Sequence, residues 1–268
     1  MRSRHEGHDS SRQCPMTGAG GNCHTARVQS TMAHRCTLAT LGTLLLATGM
    51  PARVVDQTTI INDLPLHYKV ILPKDYDADR AYPGVLAFPP GAQDMQMVMV
   101  TLTQNWAGEA QRRGYIVVIP AAPRGELFFE GGGRVFPAFL DQLLRDYKIK
   151  DRKFHVAGMS NGGRSAFFLA AAYPTYFLSV TGFPGYLPNP DPARLKALAG
   201  LCINMHVGQL DSGWREEMEQ QASLFRAKGM IVRLTVEKGQ SHVISTLTGD
   251  GATRLFEEIE HSYQGCGK

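Results

Sequence analysis

At 268 residues, 43% hydrophobic and 19% charged, the chain has the balance of a globular protein with a sizeable core, which excludes a disordered or fibrous one. Three units of its net charge of +4 fall in residues 1–52, where five arginines face only Glu6 and Asp9. The remainder is nearly neutral, so the basic face that nucleic-acid binding requires is not expected.

The first elements read as processing segments. Residues 1–31 are polar, rich in Gly, Ser and Arg and without periodicity, as expected of a disordered leader or a mis-assigned start. From Met32 the chain reads MAHRCTLATLGTLLLATGMPARVV: a short basic start, an apolar run from Leu38 to about Ala47, then small residues. That layout predicts a secretory signal peptide over 32–52, cleaved after Ala52, and a secreted or periplasmic product. The apolar run is too short to span a bilayer, so no stable membrane insertion of the mature chain is expected. Cys14, Cys23 and Cys36 fall in the removable part; Cys202 and Cys266 remain, either paired or unlinked. CxxC, HExxH, EF-hand and P-loop spacings are absent from the sequence, and neither a metal nor a cofactor is expected.

Residues 53–268 are expected to form one α/β domain. Two β-rich runs, 54–61 and 66–72, flank the turn signal NDLP. A buried strand is expected at 84–88, a helix over 95–113 stopped by Gly114, and a strand over 115–120. GAGG near Gly18 and GGG at Gly131–Gly133 lack a strand-then-helix setting and read as flexible loop. Next come a helix near 135–147, a strand 154–158, a helix 161–173 and a strand 178–181. The series closes with strands at 201–207 and 231–237, a helix 213–228 between them, and a last helix from about Val243 to His261. Short buried strands alternating with amphipathic helices predict a mostly parallel, twisted sheet of about eight strands covered on both faces.

Within this series Gly158-Met159-Ser160-Asn161-Gly162 matches G-x-S-x-G between an apolar strand and an Ala-rich helix. A serine turned sharply at that seam needs neighbours without bulk, because strand and helix converge there. The alternative is a plain helix cap, but the strand-to-helix context favours a nucleophile. A serine hydroxyl needs a general base, and the base an orienting acid, each just beyond the carboxyl end of a later strand. Asp211 follows the strand ending near Val207 and His242 the strand ending near Glu237, so both are expected at the same sheet edge as Ser160. His67, His155 and His206 fall in or beside strands and His261 at a helix end, which leaves His242. Asp211 is preferred to the rival acids Asp191 and Glu237, and it can also cap the helix it opens. The backbone N–H groups of Asn161 and Ala92 are the expected donors to a developing oxyanion, since Pro89 and Pro90 cannot donate. Gly91, Gln93 and Trp214 are candidate substrate contacts.

These residues resemble the α/β-hydrolase superfamily over essentially all of residues 54–263. VILPKDYDADRAYPGVLAFPPGAQD with GMSNGG is similar to small bacterial esterases of the polyhydroxybutyrate depolymerase and feruloyl esterase-like groups, and of the dienelactone hydrolase and prolyl oligopeptidase-like groups. The resemblance implies a triad of Ser160, Asp211 and His242 and an oxyanion loop at Gly91-Ala92. One departure is that such loops usually read His-Gly after the strand, where this chain has Pro90-Gly91. Only about eighteen residues separate the strand near 178–181 from the next, so no large cap domain is expected and the cleft should be open. Phe128, Phe129, Phe136, Phe183, Tyr186 and Trp214 are aromatic candidates for either lining or packing, as is the MQMVMV run from Met95. The expected activity is hydrolysis of small or polymer-attached carboxylic esters. The alternatives are a peptidase or acyltransferase with the same triad, and a non-catalytic hydrolase-like binding protein.

Overall fold

The computed structural model describes Arg53–Cys266; the expected leader (1–31) and signal peptide (32–52) lie outside the described residues. Strands β1 (Arg53–Ile61) and β2 (Leu64–Leu72) form an antiparallel hairpin. Its two-residue turn, Asn62-Asp63, has φ of 50° and 61°, the doubly left-handed geometry that suits the strand twist and these short polar side chains. Then follow β3 (Tyr82–Phe88), α1 (Met95–Thr101), α2 (Ala107–Arg113), β4 (Ile116–Pro120), α3 (Ala138–Asp146), β5 (Ile149–Gly158) and α4 (Asn161–Ala172). β6 (Phe177–Gly182), α5 (Pro192–Ala197), β7 (Cys202–Gly208), α6 (Ser212–Ala227), β8 (Val232–Glu237) and α7 (Thr253–Tyr263) complete the series.

The strands lie in the order β1-β2-β4-β3-β5-β6-β7-β8, parallel from β4 through β8. Alternating side chains feed two cores. Leu86, Phe88 and Val118 pack with Phe139, Phe167 and Phe225 from α3, α4 and α6, while Val85, Ala87 and Val117 meet Val98, Trp106 and Phe256 on the other face. Helices on both faces explain why the central strands are apolar throughout rather than alternating. The chain steps from β3 outward to β4 and then back past β3 to β5. The crevice at this reversal is where open α/β sheets take ligands. It brings the loop after β3 beside the turn after β5.

Several boundaries differ from the sequence reading. The last helix was expected from Val243, yet helix α7 starts at Thr253, after short 3-10 turns at Ser245–Leu247 and Gly249–Ala252. Gly249 there has φ of 56°, a conformation a continuing helix does not admit. The GGG stretch is not flexible loop but a packed 3-10 turn: a Cβ on Gly132 would lie 2.0 Å from the Glu126 carbonyl oxygen. Residues 95–113 are helical as expected, with a π-helical turn at Leu102–Trp106 in the middle. Helix α5 was not foreseen; Asp191 caps it, accepting from Ala193 N–H and Arg194 N–H. At six residues it is no cap domain. Cys202 and Cys266 form a disulfide that ties the start of β7 to the chain beyond α7.

Candidate active site

Ser160 sits between β5 and α4 with φ 58° and ψ −120°, a conformation that costs a non-glycine residue of order 1–3 kcal/mol. The surroundings hold it there. Ser160 N–H donates to the Pro184 carbonyl at 2.7 Å, and Gly162 N–H to the Met159 carbonyl at 2.8 Å. A Cβ on Gly162 would lie 2.2 Å from the Phe88 carbonyl oxygen, so β3, β5 and α4 meet here only because side chains are missing. The G-x-S-x-G pattern is therefore a packing requirement read out as sequence.

Parallel register aligns the carboxyl ends of the strands: Phe88 pairs with Gly158, Gly158 with Gly182, and Gly208 with Glu237. Asp211, three residues beyond β7, and His242, five beyond β8, thus reach the same edge as Ser160. Their side chains meet. Ser160 Oγ lies 2.9 Å from His242 Nε2, and His242 Nδ1 lies 2.7 Å from Asp211 Oδ2. A carboxylate only accepts, so Nδ1 carries the proton and Nε2 is left to accept from the serine hydroxyl. Asp211 occupies the N-cap position of α6 but makes no capping bond with its side chain. Its carboxylate is turned to His242 instead.

The loop after β3 closes the other side. Gly91 and Gln93 both have left-handed backbone, φ 60° and 56°, with the exposed Ala92 between them. Asn161 Nδ2 donates to the Gly91 carbonyl at 2.9 Å, fastening this loop to the first turn of α4. Gln93, expected as a substrate contact, is fully buried. It donates from Nε2 to Ser165 Oγ and accepts Phe128 N–H on Oε1, while its own carbonyl accepts Ala122 N–H at 2.7 Å. Burying an amide without partners would cost more than these bonds return, so its place is structural: it pins the loop from below.

Of the aromatic candidates, Phe128, Phe136 and Phe183 are buried in the cores, whereas Phe129, Tyr186 and Trp214 are half-buried. The Trp214 ring centroid lies 4.9 Å from that of His242 and 4.8 Å from that of Tyr186. The Arg164 guanidinium lies 4.2 Å from the Phe129 ring and 5.7 Å from that of Tyr186. Sequence reasoning passed over Arg164, although its place four residues after Ser160 puts it one helical turn along the same face.

The sequence matches no protein-family model and no curated protein. Solved structures do match. A thermostable esterase is 18% identical, with a TM-score of 0.62 over 79% of this chain and 62% of its own, so the chain spans less than two thirds of that protein. A ferulic acid esterase is 17% identical, with a TM-score of 0.58 over 79% of this chain and 97% of its own. Dienelactone hydrolase from Anabaena variabilis is 15% identical, with a TM-score of 0.61 over 81% of this chain and 99% of its own. The chain has the α/β-hydrolase fold. At such identities the likeness is one of architecture, and function has to be argued from the site.

In this α/β-hydrolase fold the competing histidines and acids are engaged elsewhere or lie away from Ser160. His67 is exposed and bonds Thr58, and His261 is exposed on α7. His155 is buried against Ser179 at 2.8 Å, and burial pushes its pKa down to about 3. His206 is buried between two carboxylates, with Nδ1 2.9 Å from Glu237 and Nε2 2.8 Å from Glu258. Burial alone would lower its pKa, but the bonds to Glu237 and Glu258 outweigh that and raise it, which favours the imidazolium form. Glu237 also pairs with Arg254 at 2.7 and 3.0 Å, and the His206 bond chiefly holds its carboxyl down to about 2. No local pattern around His206, Glu237 or Glu258 announces this network. It braces β7, β8 and α7 just below the loops that carry Asp211 and His242. A cavity of about 720 Å³ at the opposite sheet edge, lined by Phe177, Cys202 and Cys266, contains none of the three meeting residues.

Proposed function

We propose that this protein is a serine hydrolase that cleaves carboxylic esters through an acyl-enzyme on Ser160. The continuous relay from Asp211 through His242 to Ser160, at 2.7 and 2.9 Å, carries the reading. His242 Nε2 takes the hydroxyl proton as Ser160 Oγ attacks the ester carbonyl carbon. The backbone N–H groups of Asn161 and Ala92 receive the oxyanion; the bond from Asn161 Nδ2 to Gly91 supports this by keeping the two amides adjacent. The imidazolium, steadied by Asp211, returns its proton to the departing alkoxide, and water repeats the sequence on the acyl-enzyme. Gly91 gives the loop its turn, and the half-buried Trp214 flanks His242 at the cleft wall.

A fluorophosphonate probe should label the wild-type protein, and Ser160→Ala should abolish labelling. The same substitution should lower 4-nitrophenyl butyrate turnover by roughly 10⁴–10⁶-fold, as loss of a triad nucleophile does elsewhere. A variant that keeps near-normal turnover would remove Ser160 from the chemistry. We also propose that the protein is exported, as the reading of 32–52 anticipates. The disulfide supports this, since such bonds persist in oxidising compartments, and N-terminal sequencing of exported protein would test it by finding Arg53 first.

A further inference from the structure

We propose that Arg164, held between Phe129 and Tyr186, is an anion subsite that selects ester substrates bearing a carboxylate. The inference rests on the ester-hydrolase reading and adds a substrate class to it. Five arginines among the described residues are not exposed: Arg113, Arg164, Arg194, Arg215 and Arg254. Four have a carboxylate within ion-pair distance, from Glu109 and Glu260, Asp191, Glu219 and Glu237 respectively. Arg164 has none among the described residues, and its Nε is buried without a hydrogen-bond partner. A half-buried guanidinium with aromatic neighbours and no counter-ion leaves the outer nitrogens of its planar fork available to an anion. Its position also runs against local helix electrostatics. It lies in the second turn of α4, whose first turn holds no acidic residue, where the helix dipole already concentrates positive charge. Folding gains little from a cation there; an incoming anion gains from both.

The placement connects this cation to the proposed chemistry. Helical side chains lean toward the helix N-terminus, which here is Ser160. A run of ring contacts leads from the catalytic base outward: His242 to Trp214 at 4.9 Å, Trp214 to Tyr186 at 4.8 Å, and Tyr186 to the guanidinium at 5.7 Å. The wall between the reacting serine and Arg164 is thus apolar and aromatic, and its far end is positive. An ester with an apolar spacer and a terminal carboxylate matches it. Aromatic faces flank and partly desolvate the cation, so its pairing with a carboxylate is less screened than at an open surface.

The test compares each acidic ester with a neutral counterpart of similar size. On the acyl side these are the mono-4-nitrophenyl esters of succinate, glutarate and adipate against the butyrate, valerate and hexanoate. On the alcohol side they are 4-acetoxybenzoate against 4-methylphenyl acetate. The readout is the acidic-to-neutral ratio of enzyme-dependent kcat/KM, not either rate alone. In the arm that uses the subsite, Arg164→Gln should lower the ratio by roughly 10–100-fold, the range for a lost charge-assisted hydrogen bond, and Arg164→Lys should lower it less. In the wild type, glutarate should protect Ser160 from fluorophosphonate while n-butanol does not, a measurement that needs no variant to fold. Labelled protein that rejects the acidic ester in both arms, or whose ratios are unmoved by Arg164→Gln, overturns the anion subsite and leaves the hydrolase standing. Protein whose Ser160 cannot be labelled overturns the hydrolase reading itself.

Discussion

Glu237→Gln should weaken the fold in a pH-dependent way. The substitution keeps the side chain's size and one of its two acceptor oxygens for Arg254, but removes the charge facing both His206 and Arg254. A carboxyl lowered from 4.5 to about 2 in the folded protein is linked to about 3 kcal/mol of folding free energy at neutral pH. Because this pKa is depressed on folding, its contribution is present above 4.5 and lost as pH falls toward 2. His206 works in the opposite direction. Its raised folded pKa contributes stability that is full below 6.5 and lost as pH climbs through the folded value. The network is therefore strongest between 4.5 and 6.5, the ordinary values of the two groups, and weakens on either side. Urea unfolding followed by tryptophan fluorescence would check this at pH 3, 4, 6 and 9. Glu237→Gln should lose about 3 kcal/mol at pH 6, and the gap from wild type should shrink steadily at pH 4 and 3. A gap that stays constant from pH 6 to 3, or none at pH 6, would refute the charge account of this network.

Two further outcomes follow from the same geometry. Cys202→Ser with Cys266→Ser, or reduction of the wild type, releases a cross-link between residues 64 apart; by chain entropy this should cost about 4 kcal/mol. A shift in thermal midpoint between oxidised and reduced protein would show it, with the acidic-to-neutral ester ratio unaffected because the bond lies at the opposite sheet edge. Gln93→Leu leaves Phe128 N–H and Ser165 without their partner. It should lower kcat by about 10²–10³-fold, the cost of misplacing one oxyanion donor, with a smaller change in KM. Partial unfolding lowers kcat only in proportion to the folded fraction, so kcat is normalised to folded protein measured by circular dichroism, and an unchanged normalised kcat would refute the reading.

What could be read from the residues was whatever packing dictates locally. The apolar strand before Ser160, the glycines around it and the Ala-rich helix after it are one steric fact, so the seam and its boundaries were legible. Asp211 and His242 were legible because chain order and parallel register leave few strand ends to choose from. Gln93 was misassigned because its neighbours Ser165 and Phe128 are 72 and 35 residues away. A polar residue in a glycine-containing loop looks exposed until those partners are known. His206 was hidden for the same reason: a histidine in an apolar strand reads as core, and nothing local reveals that Glu237 and Glu258 flank it. The helix expected from Val243 failed differently, since apolar spacing continued through a segment whose Gly249 turns left-handed.

The loop after β3 shows how a departure from a familiar pattern is absorbed. Pro90 stands where similar loops carry histidine, a side chain that could hold the loop by hydrogen bonds. In this chain that task falls three residues later. Gln93 anchors the loop through its side-chain oxygen and nitrogen and through its own carbonyl, while Asn161 binds it from the elbow side. With Gly91 and Gln93 fixed in left-handed backbone, the orientation of the intervening Ala92 peptide has little freedom left. Pro89 and Pro90 have no N–H to compete for an anion. Preorganised donors stabilise developing charge without reorganising, so what the proposed site needs is a rigid peptide at Ala92, whichever side chain supplies the rigidity.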